Sequence, residues 1–221
     1  MKKLLILSAL FLPVLFLFAC DGQPTLMKNV SELTEYVWQA ESDDYILKAQ
    51  YGYRETPYVP DGTVGTLSYG LTLRLTPKTA VQNAEYRAVL TLGETPYEVP
   101  FTLDPVRHKL NAVIPTEERP AERFTVTVTR AETEDCLELV SLLPENTLNA
   151  SQALEALETN QSDLLNDYRT NGVFNAEITL RVFVNKEHPY WYVGLVRGEH
   201  KIVALLIDGI QGEVLAIREL Y

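Results

Sequence analysis

From Trp38 to Leu143 apolar and polar side chains alternate with a period of two. Tyr45, Leu47, Ala49, Tyr51 and Tyr53 fall on one face of a run. Leu67, Tyr69, Leu71, Leu73 and Leu75 do the same, with Ser68, Thr72, Arg74 and Thr76 opposite. The alternation continues through Tyr86–Leu92, Tyr97–Leu103, Leu110–Ile114, Phe124–Val128 and Cys136–Leu142. A helix would scatter these apolar positions around its axis, whereas a pleated strand gathers them on one side. Pro60-Asp61-Gly62, Leu92-Gly93-Glu94 and Pro115-Thr116-Glu117 supply turn chemistry between the runs. Seven short strands so spaced predict an antiparallel β-sandwich over residues 38–143. Pro100 inside a run marks an edge strand, where its missing N–H breaks no ladder.

Leu143-Pro144-Glu145-Asn146-Thr147 ends that regime. The next stretch has helical spacing, with Ala153, Leu154, Leu157, Leu164, Leu165 and Tyr168 on one face. Asn149 and Gln152 have the spacing of a capping box, and Asn171-Gly172 reads as a left-handed helix stop. Period two then returns at Phe174–Val184, Tyr190–Arg197, Lys201–Ile207 and Glu213–Leu220. Residues 148–221 are therefore expected to be an α+β domain, one helix packed on a four-stranded antiparallel sheet. Neither layer could bury its apolar side alone. The fold class expected for the chain is mainly β.

The N-terminus reads as a targeting segment. Lys2 and Lys3 precede an apolar run from Leu4 to Phe18, short of the roughly 20 residues a spanning helix needs. It closes on Leu17-Phe18-Ala19-Cys20, which resembles the lipobox of bacterial lipoproteins, with Phe18 bulkier than that pattern prefers. The resemblance implies a signal peptide over 1–19 and a diacylglycerol thioether (with further acylation such as palmitate) on Cys20. It also implies anchoring at the outer face of the cytoplasmic membrane, with 20–37 as a lipidated tether carrying a short helix at Ser31–Tyr36. Loss of Lys2 and Lys3 takes the chain's net charge from −11 to −13. That charge opposes binding to nucleic acid and to anionic lipid heads. Of the two cysteines, lipidation of Cys20 leaves Cys136 without a partner, so no disulfide is expected, and Cys136 reads as a buried thiol.

Residues 38–143 resemble bacterial immunoglobulin-like domains in pattern alone, without the Cys–Trp–Cys signature. Asp208-Gly209-Ile210-Gln211-Gly212-Glu213-Val214, after the WYVGLV run, resembles the closing hairpin of PepSY modules, with Gln211 where that family usually has Thr. A cystatin-like description fits the same elements equally. The PepSY resemblance implies binding or inhibition outside the cytoplasm rather than catalysis.

The chain has no HExxH, GxSxG, Walker or Rossmann pattern. His188 and His200 flank one strand and stand too far apart to share an ion, so no metal and no cofactor is expected. Folding the last strands into hairpins gathers Glu187, His188 and Asp208 at one end of the sheet. That trio is the only candidate for hydrolytic acid–base work and otherwise a binding rim. Asp208 itself reads as a turn corner. Trp191 lies on one face of its strand and Tyr190 and Tyr192 on the other. The candidate binding residues are thus Glu187, His188, Trp191 and Asp208, with no catalytic residue assigned. The expected function is a lipid-anchored, non-enzymatic module that binds an extracytoplasmic protein or peptide. The alternative is a solute- or glycan-binding lipoprotein. Cells fed radiolabelled palmitate should label the wild-type protein, and Cys20→Ser should abolish the label; an unlabelled wild type removes the anchor.

Overall fold

A computed structural model describes residues 26–79, 85–104, 109–198 and 201–220. The segment expected to be a signal peptide, Cys20, His108 and His200 lie outside the described residues. A 3₁₀ turn at Met27–Asn29 leads into β1 (Val30–Glu41). There follow β2 (Tyr45–Glu55), β3 (Leu67–Pro77), β4 (Tyr86–Leu92), β5 (Thr95–Pro100), β6 (Thr102–Asp104), β7 (Lys109–Pro115), β8 (Arg123–Arg130) and β9 (Thr133–Ser141). Helices α1 (Ala150–Asn160) and α2 (Ser162–Asn166) come next, and then β10 (Arg169–Thr170), β11 (Val173–Phe174), β12 (Glu177–Asn185), β13 (His188–Arg197), β14 (Lys201–Asp208) and β15 (Val214–Leu220). The protein is mainly β, and the strand pairs are antiparallel except for β1 with β12.

β1 sits between two groups of strands. It pairs β2 along most of its length, β12 along its first half and β9 through Trp38 and Gln39. Two arms leave its second half, β2–β3–β7–β6 and β9–β8–β4–β5, and they press one face of each against a shared core. Leu47, Leu71, Leu73 and Leu75 from one arm meet Ala88, Val126, Val128 and Leu139 from the other. Tyr45 and Tyr86 cross edge to face between them, with centroids 6.0 Å apart. The period-two reading holds in β4, where every second residue is buried, but the Tyr97–Leu103 run is two strands: it breaks at Phe101 into β5, which with Pro96 and Pro100 is an edge that pairs only β4, and β6, which pairs β7 in the other arm. The first half of β1 joins β12–β15 and the helices around a second core built on Val30, Leu33, Leu154, Leu157, Ile178, Leu180, Trp191 and Leu205.

Four expectations need correction. Residues 30–37 are not a tether with a helix at Ser31–Tyr36; they are the first half of β1, and Val30, Ser31, Leu33 and Val37 are buried. Val30, Leu33 and Val37 have helical spacing only because bulges near Ser31 and Glu35 reset the alternation. The single helix is two, broken at Gln161 (φ −134°), with Leu165 and Tyr168 still buried as the spacing required. Asn171 and Gly172 (φ 53° and 78°) do not stop a helix; they form the tight turn between β10 and β11. Cys136 is also exposed rather than buried, because Leu137 and Leu139 take the inward positions of β9.

The capping box is present as read: Asn149 Oδ1 accepts from the Gln152 N–H and Gln152 Oε1 from the Asn149 N–H, each at 2.9 Å. Gly52 of β2 lies where β1 bulges, and a Cβ there would press into the Leu33 carbonyl. Gly52→Ala should therefore cost about 3 kcal/mol in urea unfolding, at the upper end for an overpacked site; an unchanged midpoint would show that the two strands can part freely. Native Cys136 should react with a thiol reagent at nearly the rate of the unfolded chain, measured in a Cys20→Ser background.

Candidate functional site

The Glu187/His188/Asp208 end is a fastening. Asp208 Oδ1 accepts from the N–H groups of Ile210 and Gln211, both at 2.8 Å, and its Oδ2 lies 2.8 Å from His188 Nε2. Gly212 (φ 75°) closes the corner, its N–H donating to the Asp208 carbonyl. Burial alone would raise the Asp208 carboxyl, but the Gln211 and Ile210 N–H groups and His188 outweigh it and hold the group below its ordinary value. Glu187 is exposed at φ 66°, one of the two turn residues that join β12 to β13. Asp208 and His188 are thus brought together, while Glu187 sits at the hairpin tip. Trp191 is 1 % exposed, packed in the core, with its ring reaching the lining of the groove described below, whereas Tyr190 and Tyr192 lie half-buried on the opposite face as strand alternation required.

The corner carries its order further. Gly209 donates to the Pro189 carbonyl and accepts from the Leu148 N–H at 2.7 Å. The Leu148 carbonyl in turn accepts from Trp191 Nε1 at 2.9 Å. Leu148 belongs to the segment that joins β9 to α1, so Trp191 and Gly209 fix that segment from both sides. Leu142 adds a third tie, its N–H donating to the Val37 carbonyl at 3.0 Å.

This segment is one wall of a groove of about 340 Å³. The other wall is the loop between β7 and β8, pinned by two aromatic side chains. Trp38 Nε1 donates to the Ala121 carbonyl at 3.1 Å, and the Tyr51 hydroxyl donates to that of Glu117. Glu35, Tyr36 and Trp38 of β1 line the groove between the walls. The Arg119 guanidinium lies 4.5 Å from the centre of the Tyr36 ring, an arrangement that holds a cation on an aromatic face. Tyr36 stacks in turn on Trp38, with centroids 6.0 Å apart. A larger, more open hollow of about 680 Å³ lies across the same loop, lined by Val89–Gly93 and the outward threonines of β8.

Glu35 is the residue that sequence reading missed. It occupies the second bulge of β1, which turns its carboxylate toward the start of α1. Burial pushes the Glu35 carboxyl above its ordinary value, opposed by the Ala150 N–H and by the charge of Arg119. Nothing in a linear reading marks a bulge, and Arg119 sat in a loop read only as a turn. The groove thus offers aromatic faces, a half-buried acid and an exposed guanidinium, a lining that can bind an amphipathic chain. No pair in it has nucleophile–base geometry among the described residues.

Compared with protein-family models, with curated proteins and with solved structures, the chain matches none. No described helix is long and apolar enough to cross a membrane.

The Asp208 shift gives a pH test. A carboxyl held below its unfolded value, about 3.9, stabilises the fold above that value, and the effect is lost as pH falls through the folded value. Asp208→Ala should cost about 3 kcal/mol at pH 7 through three lost hydrogen bonds. Urea unfolding should show that gap shrinking toward pH 2; an equal gap at both pH values would mean that the charge is irrelevant.

Proposed function

We propose that the protein is a membrane-anchored extracytoplasmic lipoprotein that binds a protein or peptide segment in the groove between β1 and its two pinned walls. The observation that carries this reading is the groove lining, in which Tyr36 and Trp38 offer flat apolar surface while Glu35 and Arg119 offer opposite charges to a backbone or side chain. Few, convergent polar groups set among rings are the usual character of a recognition site. The volume is at the small end of the range for ligand sites and fits one or two side chains of a docked segment. Anchoring rests on the Leu17-Phe18-Ala19-Cys20 match. The Cys20 lipid attaches the protein to the outer face of the cytoplasmic membrane.

On this reading residues 38–143 are an Ig-like β-sandwich, supported by the two arms that enclose one core. The C-terminal residues are a PepSY-like or cystatin-like module, supported by the helices over one face of β12–β15 and by the Asp208–Gly212 corner. The Asp208 corner contributes by holding Leu148, not by touching the ligand. The protein acts by binding; no residue is assigned a catalytic role.

Arg119→Glu reverses the charge on the Tyr36 ring and leaves both cores intact. Photo-crosslinking from a probe placed at Glu122, in solubilised envelope, should capture a discrete protein in the wild type. That capture should fall at least tenfold in Arg119→Glu, a loss equal to about 1.4 kcal/mol. Equal capture by both removes the groove from the function. Stabilisation of the wild type by oligosaccharides, with no protein captured, would favour the solute- or glycan-binding alternative.

A further inference from the structure

At the start of β1 two carboxylates are buried. Glu177 opens β12 and is 0 % exposed; Glu55 ends β2 and is 6 % exposed. β12 runs parallel to β1 and β2 antiparallel, so these two positions flank the same end of β1 on either side of Ser31. The loop from β2 to β3 folds over them. Its Gly62 N–H donates to Glu177 Oε1 at 3.0 Å, and its Gly65 N–H donates to Glu55 Oε1 at 2.8 Å.

Each carboxylate thus spends one oxygen on the loop and keeps the other inside. Glu177 Oε2 and Glu55 Oε2 are both fully shielded from solvent and have no hydrogen-bond partner. The same holds for Ser31 Oγ and Asn29 Oδ1, on residues 1 % and 6 % exposed. Asn29 is oriented by its amide nitrogen, which donates to the Ala176 carbonyl at 3.2 Å. The Ser31 and Tyr58 hydroxyls both lie within hydrogen-bonding reach of the Glu177 carboxyl, though neither meets Oε2 with full hydrogen-bond geometry. Among the charges that bear on Glu177 are Glu55 and Asp61, both negative. Arg181 of β12 is committed to Glu32, with a two-pronged contact at 2.9 and 2.6 Å.

Buried charge without compensation is expensive, and buried oxygens without partners add to the penalty. The same end of the sheet therefore collects like charges and orphan acceptors together. Burial pushes the Glu177 carboxyl up, and it pushes the neighbouring Tyr58 phenol up to about 12. All the orphan atoms are oxygens: two carboxylates, a hydroxyl and an amide carbonyl. Such a set suits a hard cation with a flexible coordination shell, and not a metal that seeks nitrogen or sulfur. No three His, Cys, Asp or Glu side chains among the described residues form a metal cluster, so beyond these two carboxylates the ligands must come from the Ser31 hydroxyl and the Asn29 carbonyl.

We propose that Glu55 and Glu177, with Ser31 and Asn29, hold a calcium-like divalent cation beneath the Asp61–Gly65 loop and so fasten that loop to the start of β1. The site lies away from the groove and is independent of what the groove binds. The cation completes the pairing of β1 with both β2 and β12, so its removal loosens the junction of the two cores.

The test uses the full chain after exhaustive chelation, at pH 7. Calcium at millimolar concentration should raise the Tm by about 5 °C, the size of effect that saturating one site gives a domain of this class. Terbium emission sensitised by Tyr58 should appear at one ion per chain and be displaced by calcium. Glu177→Gln and Glu55→Gln should each lose the calcium-dependent rise and weaken terbium binding at least tenfold, while Asp43→Asn should keep both. Should either variant fail to fold, the wild-type titrations decide alone. A Tm indifferent to calcium, with no stoichiometric terbium signal, overturns the proposal.

Discussion

Everything in this protein hangs on β1, because one strand of twelve residues supplies structure to two cores. Val37 packs with the helices and β12–β15, and Trp38, the next residue, packs between the two arms of the β2–β9 region. Consecutive side chains on a strand point to opposite faces, so a single peptide bond is enough to divide the allegiance. The arrangement forces the two cores to share a backbone ladder. Neither can shift against the other without breaking hydrogen bonds to β2, β9 or β12.

Such sharing also explains where the groove lies. At the changeover, neither core's side chains cover β1 fully, and the gap is walled by two segments held by outside ties. The Trp38 and Tyr51 polar groups hold one wall; Trp191, Gly209 and Val37 hold the other. The large aromatics play both parts, burying ring area while their N–H or O–H satisfies a loop carbonyl that would otherwise lie unpaired. Asp208, which draws the eye in the sequence, acts at one remove through Leu148.

Local chemistry was legible wherever it was self-contained. The capping box at Asn149 and Gln152, the return of residue 208 beside Tyr190, the separation of Trp191 from Tyr190 and Tyr192 onto opposite faces and the Asp208 corner all depend on residues within a few positions of each other or on a simple register. Asn171-Gly172 was legible as left-handed backbone but not as a hairpin, because the two strands it joins have only two residues each. Glu35, Arg119, Glu55 and Glu177 were illegible. Each gets its character from partners far along the chain, and for Glu35 also from a bulge that no composition announces. Cys136 was misplaced by reading it as part of an apolar run when its neighbours Leu137 and Leu139 had already set the inward parity.

The sequence by itself determined the periods: mainly β structure, a capped helix after Pro144, the edge at Pro100 and the acidic charge. These follow from steric and hydrogen-bonding preferences that act over one turn or one strand. Tertiary structure alone decided that residues 30–37 are strand rather than tether. Two bulges gave that stretch a helical spacing, and only pairing with β2 and β12 removes the ambiguity. It also decided which acids are buried, since burial of Glu177 and Glu55 is a property of the loop that folds over them and not of the residues themselves.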